Sequence, residues 1–142
     1  MIFDLETMFC EGQAVTADAG STNYIDLGAT GTPFGSDTAL TRDIGKGCSV
    51  PLSITVVEAF NNATSVAVSL QVDDNTSFSS AKTVASKTYL LAELAGGQLA
   101  FPDYVPEGAD ERYMRLFFDV TGTAPTTGKF TAGIVAGRHS NF

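Results

Sequence analysis

The side chains that could do chemistry in this 142-residue chain are few, and each group is incomplete. His139 is the one histidine, and it lies near the C-terminal end of the sequence. A Ser-His-Asp or Cys-His arrangement needs that imidazole held beside a nucleophile, and a chain end is a poor place to fix a base. A zinc or cupin-type site needs several imidazoles, so the count excludes it. Asp73-Asp74-Asn75 offers hard oxygen ligands. Calcium wants six to eight oxygens with a later bidentate Glu, and this turn has no Glu, so it reads as an Asx-type cap on a strand. Asp103, Glu107, Asp110 and Glu111 could supply the paired carboxylates of a glycosidase, but they cluster in a loop and the chain has no Trp for sugar stacking. No phosphate-binding glycine loop and no CxxC pattern occurs. The expectation is therefore not an enzyme, with no cofactor and no metal.

Bulk properties narrow the classes further. Eight Lys plus Arg face sixteen Asp plus Glu. Phosphate backbones repel such a surface, and the basic residues form no stripe, so no nucleic-acid partner is expected. No window reaches the ~18–20 apolar residues of a membrane span, and the start lacks the basic leader of a signal peptide. Cys10 and Cys48 read as free, reduced thiols of a protein folded in a cytosol.

The elements that must position everything else are strands. Val50, Leu52, Ile54 and Val56 alternate with Ser49, Pro51, Ser53 and Thr55, and the pattern slips at Val56-Val57 as a bulge would. Val66, Val68, Leu70 and Val72 form the clearest inward face. Phe60 to Thr64 reads as a turn that joins these two strands into an antiparallel pair. A strand follows over Lys82 to Tyr89, then a helical turn at Leu90–Ala95 stopped by Gly96-Gly97, then a short strand from Gln98 to Phe101 that ends at Pro102. Met114, Leu116, Phe118 and Val120 make another core face. Gly122 to Gly128 reads as a hairpin loop, with Lys129 to Ala136 returning beside that strand. The stretch from Gly28 to Gly47 is a long loop, a kind that is usually functional or mobile. The fold class expected is an all-β, jelly-roll-like antiparallel sandwich with one short helical turn. Its organisation is an N-terminal arm over residues 1–13 and a single β-sandwich domain over 14–142.

Two groups carry interface composition. Ile2, Phe3, Leu5, Met8 and Phe9 are apolar among Asp4, Glu6 and Glu11, and must pack either on their own sandwich or on a neighbour. Tyr113, Arg115 and Phe117 fall on the face opposite the core of their strand, where polar residues are the rule.

The opening Met1-Ile2-Phe3-Asp4, the Gln13-Ala14-Val15-Thr16 run, Ser21-Thr22-Asn23, Ile25-Asp26-Leu27-Gly28, and the Val66-to-Val72 strand with its Asp73-Asp74 sequel carry a resemblance. In these strings the chain resembles a family of small phage capsid cement (decoration) proteins of Bordetella-phage type. The resemblance implies a jelly-roll-like sandwich and a homo-oligomer, a dimer or trimer. It implies a seat on the outer surface of an icosahedral virion head, in contact with several subunits of the major capsid protein, and synthesis in the host cytoplasm. It brings no catalytic residues. The alternative is a carbohydrate- or receptor-binding sandwich of a phage tail or fibre.

Overall fold

A computed structural model describes residues 2–47 and 49–137; Met1, Cys48 and His139 lie outside the described residues. In order come β1 (Phe3–Ala14), β2 (Ala19–Gly20), β3 (Ile25–Asp26), β4 (Leu52–Glu58), β5 (Ala63–Asp73) and β6 (Lys82–Leu90). A 3-10 turn (Leu91–Leu94), β7 (Gly97–Gln98), β8 (Tyr113–Gly122) and β9 (Lys129–Val135) complete the described elements. One sheet has the order β1-β9-β4-β7, and the other β2-β8-β5-β6 with β3 also on β8. Every pairing is antiparallel.

β2 and β3 lie along the same strand, Gly20 opposite Phe117 and Ile25 opposite Met114, so they act as one interrupted strand. With them counted as one, the pairings nest: first strand with last, second with next-to-last, β4 with β7, and β5 with β6. That nesting, rolled into two facing sheets, is the jelly roll. Among the described residues no helix is long and apolar enough to cross a membrane.

The core is the sum of the inward faces. Leu52, Ile54 and Val56 of β4 and Phe130 and Ala132 of β9 meet Val66, Val68, Leu70 and Val72 of β5 and Met114, Leu116 and Phe118 of β8. Phe118 and Phe130 stack across the sandwich with ring centroids 4.9 Å apart. The bulge expected at Val56-Val57 is present as a register shift between Val56 and Glu58. The helical turn is a 3-10 turn that buries Leu94, followed by Gly96 and Gly97, both at positive φ.

Two expected pairings differ. β4 and β5 are not a hairpin, and neither are β8 and β9: each pair is split between the two sheets. The reason is in the connections. Phe60 buries its ring against Phe130 (4.8 Å) and so drives the β4–β5 connection into the core. At Gly128, φ is +135° and a Cβ would strike the Phe60 ring, so the β8–β9 connection passes closely over that same ring. These loops are corners that change sheets. With β2 and β3 counted as one strand, β5–β6 is the one sequence-adjacent pair among the described residues that shares a sheet, closed by the Asp73 turn.

The segment read as an arm enters the sandwich from Phe3 onward as β1, the edge strand on β9. It is strongly bulged. Between the Phe3–Val135 and Met8–Gly133 pairs, β1 advances five residues while β9 advances two. Asp4 Oδ1 accepts from Glu6 N (2.9 Å), and the Thr7 hydroxyl reaches Ile134 O (3.3 Å), which fixes the bulged loop in place. Gly133 allows the bulge to approach, because a Cβ there would lie 2.8 Å from Met8 Cα. Bulging changes which side chains face in. Phe9 and Cys10 are both fully buried, and Leu5 is thrown outward.

Candidate functional site

The sandwich has two ends. At one, β1 begins, β4 begins and β9 finishes; the loops 27–50, 74–81 and 99–112 gather there. Ile44 N donates to Ala109 O (3.3 Å), Leu52 N to Asp103 O (2.9 Å) and Val105 N to Val50 O (2.9 Å), which ties the loops to one another. Of the large hydrophobics that the described residues expose, Ile2, Leu5, Tyr24, Phe34, Leu40 and Tyr104 all lie at or beside this end. Only Val57 and Leu90 lie towards the other. The molecule thus concentrates its unburied apolar surface, and clustering of this kind marks interaction sites more than scattered residues do.

The N-terminal candidates divide by burial. Ile2 and Leu5 are 70% and 73% exposed, Phe3 is half-buried, and Met8 and Phe9 are inside the protein. The second half of this segment builds the core, and its first half offers two apolar side chains to the outside.

Tyr113, Arg115 and Phe117 lie on the outer face of the second sheet, all half-buried. Arg115 is clamped where it stands. Its guanidinium lies over Phe78 (4.3 Å) and Phe117 (5.3 Å), and its Nε donates to Gln71 Oε1 (3.0 Å). Gly20 passes so close that a Cβ there would sit 2.9 Å from the Arg115 guanidinium. Tyr113 meets Tyr24 edge to face at 5.4 Å, and Tyr24 meets Phe78 at 6.3 Å. Much of the aromatic surface of this face is therefore used within the chain. Between β1 and residues 22–26 a groove of about 790 Å³ opens, lined by Leu5, Tyr24, Ile25, Asp26 and Tyr113 among others.

Several carboxylates at this end serve structure. Asp73 is buried. Desolvation alone would raise its pKa, but hydrogen bonds from Ser80 N (2.8 Å), the Ser80 hydroxyl (3.0 Å) and Asp74 N (2.7 Å) prevail and hold it below the usual range. This is the Asx-type cap expected, and it closes the β5–β6 hairpin. Asp26 is held down to about 2, first by the side-chain hydrogen bonds of Arg112 and then by Gly28 N. Asp110 pairs with Lys82 at 3.0 Å. Buried Cys10 is pushed up to about 11 by desolvation, so its thiol stays protonated and unreactive at neutral pH. None of these shifts brings a group toward neutrality, where proton transfer would use it. Among the described residues no cluster of His, Cys, Asp or Glu could hold a metal ion.

The model of the Bbp16 family, a Bordetella phage protein family, matches residues 9–134. The chain belongs to the Bbp16 family. The match spans β1 from Phe9 almost to the end of β9, so the whole nested roll, and not one motif of it, is the family's unit. No curated protein matches the chain. Family membership makes this Bbp16-family chain a phage protein, in keeping with the phage resemblance read from its sequence and with a structural role.

The candidates read from sequence omit Phe34, Leu40, Tyr24 and Tyr104. A signal for Phe34 was there: a lone aromatic between Pro33 and Gly35, in a stretch that is mostly Gly, Thr, Ser and Asp. Ile44 is the residue of this loop that packs on the core, whereas Phe34 at its tip is left outside.

Proposed function

We propose that this Bbp16-family protein is a non-enzymatic capsid decoration protein. It binds the outer surface of an icosahedral phage head and clamps neighbouring major capsid protein subunits, stabilising the expanded shell. The observation that carries this reading is a phage-family jelly roll whose exposed large apolar side chains collect at one end. Binding only the expanded shell stabilises that shell by linkage. Two or three copies joined in one oligomer raise the effective concentration of each contact, so the clamp outlasts any single interface. The sheet edge at β6 (Lys82–Leu90) is available for strand addition by a second copy. The partners are the major capsid protein and the protein itself, as a dimer or trimer, with no cofactor, nucleic acid or membrane. The protein is made in the host cytoplasm and resides on the virion exterior.

The test is co-sedimentation with heads assembled without this protein. Saturable binding at a fixed ratio to capsid subunits, with heads that then resist heat or chaotrope longer, is the expected result. Heads that neither bind the protein nor gain resistance would refute the reading.

One feature favours the alternative, a carbohydrate- or receptor-binding module of a tail or fibre. Tyr24 and Tyr113 line the groove, and aromatic rings at a groove wall suit a sugar face. Glycan-array binding lost on Tyr24→Ala would favour that module over the decoration protein.

A further inference from the structure

The loop between Gly28 and Gly47 is not loosely hung. At its start Leu27 N donates to Arg112 O (2.8 Å), Gly28 N donates to Asp26 Oδ1 (2.8 Å), and the Arg42 guanidinium donates to Gly28 O. Across its middle Leu40 N donates to Gly31 O (2.9 Å). At its far side Asp43 accepts from Gly45 N (3.1 Å) and from Gly108 N (2.9 Å). Gly45 packs so tightly on the Pro106 carbonyl that no side chain would fit. The tip, Pro33-Phe34-Gly35-Ser36, is a turn closed by Ser36 N to Pro33 O (3.0 Å), with Gly35 at φ +82° and the Ser36 hydroxyl bonded to Thr38 O (3.0 Å). This base and turn present Phe34, whose ring is fully exposed, with Leu40, 59% exposed, on the same loop.

An aromatic held out on a pre-shaped turn is the arrangement that binding hot spots use, because little ordering entropy is left to lose. The charge around it selects the partner. The segments that form this end, residues 2–7, 22–47, 73–82 and 99–115, hold eleven of the sixteen acidic residues and five of the eight basic ones. Six of the eight net negative charges therefore lie here. Two such ends would repel, so a second copy docked end to end is disfavoured, whereas a positively rimmed surface is attracted.

We infer that Phe34 is a preorganised anchor that inserts into an apolar socket rimmed by basic side chains on a different polypeptide. This rests on the decoration reading above, in which that polypeptide is the major capsid protein.

The experiment uses full-length protein and heads assembled without it, and compares wild type, Phe34→Ser, Phe34→Leu and, at the opposite end, Val57→Ser. Phe34→Ser should weaken binding by about 30-fold or more, Phe34→Leu less, and Val57→Ser by under about 3-fold. Thermal melts of all four should superimpose. Wild-type affinity should fall as salt rises, as attraction between an acidic end and a basic rim requires. Wild-type binding that Phe34→Ser leaves unchanged overturns the anchor and spares the decoration reading. Heads that do not bind wild type overturn both. A drop in solution mass on Phe34→Ser would assign the socket to a second copy, and binding indifferent to salt would remove the basic rim; either result overturns the inference.

Discussion

The two ends of the roll handle the same problem, chain crossing from sheet to sheet, in opposite ways. At the corner end the crossings are short and locked to each other. The Asn61 carboxamide accepts from Thr126 N (2.8 Å) and Thr127 N (3.2 Å) and donates to the Thr126 hydroxyl (2.7 Å). The Thr127 hydroxyl returns a bond to Ala59 O (3.0 Å), and Lys129 pairs with Glu58 at 3.0 Å. Beneath this lattice Phe118 stacks on Phe130 and Phe60 tilts against its other side, so the three rings form a continuous row. At the loop end the crossings are long and their polar groups are tied among themselves; Phe78, Leu99, Phe101 and Val105 pack inward, while Phe34, Leu40 and Tyr104 point away. One end is made to hold the sheets together. The other is held by that frame and left free to meet something else, the usual division between scaffold and binding loops.

The comparison breaks most visibly on aromatic truncation. Phe130→Ala should cost about 3–5 kcal/mol in denaturant unfolding, because the stack leaves a cavity. Phe34→Ser should stay within about 0.5 kcal/mol. Equal losses would show that the loop end is part of the core. Gly128→Ala should follow at about 2–4 kcal/mol, since its Cβ has only the Phe60 ring to enter and the backbone is at φ +135°. A neutral result would mean that the corners are not interlocked. Asn61→Ala should cost about 1–2 kcal/mol by leaving the Thr126 and Thr127 N–H groups without their acceptor. Double-mutant coupling with Thr127→Val would apportion the lattice.

Acid sharpens the contrast at the loop end. Asp26 and Asp73 have folded-state pKa values below their unfolded ones. Their contribution is therefore complete above the ordinary carboxylate range and is lost as pH falls through the depressed values. For Asp26 the window runs from near 4 down to about 2. Asp26→Asn should flatten melting temperature against pH within that window; an unchanged profile would remove Asp26 from the account. The smallest effect belongs to Ser53, whose buried hydroxyl is unbonded among the described residues. Ser53→Ala should be neutral or slightly stabilising in the same melts.

Truncation needs care in the light of β1. Removing residues 1–12 would strip buried Phe9 and Cys10 from the core along with exposed Ile2 and Leu5. Paired Ile2→Ser and Leu5→Ser changes test the outward half of that strand while leaving the sandwich intact. Their readouts are solution mass and head binding.

The features legible in the residues were local: where most strands run, which residues of each face inward, and which turns close them. Period-two alternation placed Val66 to Val72 and Met114 to Phe118 on core faces, and Asp73-Asp74-Asn75 on a strand cap, because those depend on neighbours a few residues away. Alternation names a face but not a neighbour. Whether β8 lies beside β9 or across from it depends on the ring of Phe60, nearly seventy residues upstream of Gly128. The arm became a strand because β1 pairs with β9 at the far end of the chain, and its bulges hide the periodicity that would have marked it. The loop end was legible as a long polar loop with one lone aromatic. Its assembly from segments far apart in the chain followed only from the nested pairing, in which the first strand's partner is the last.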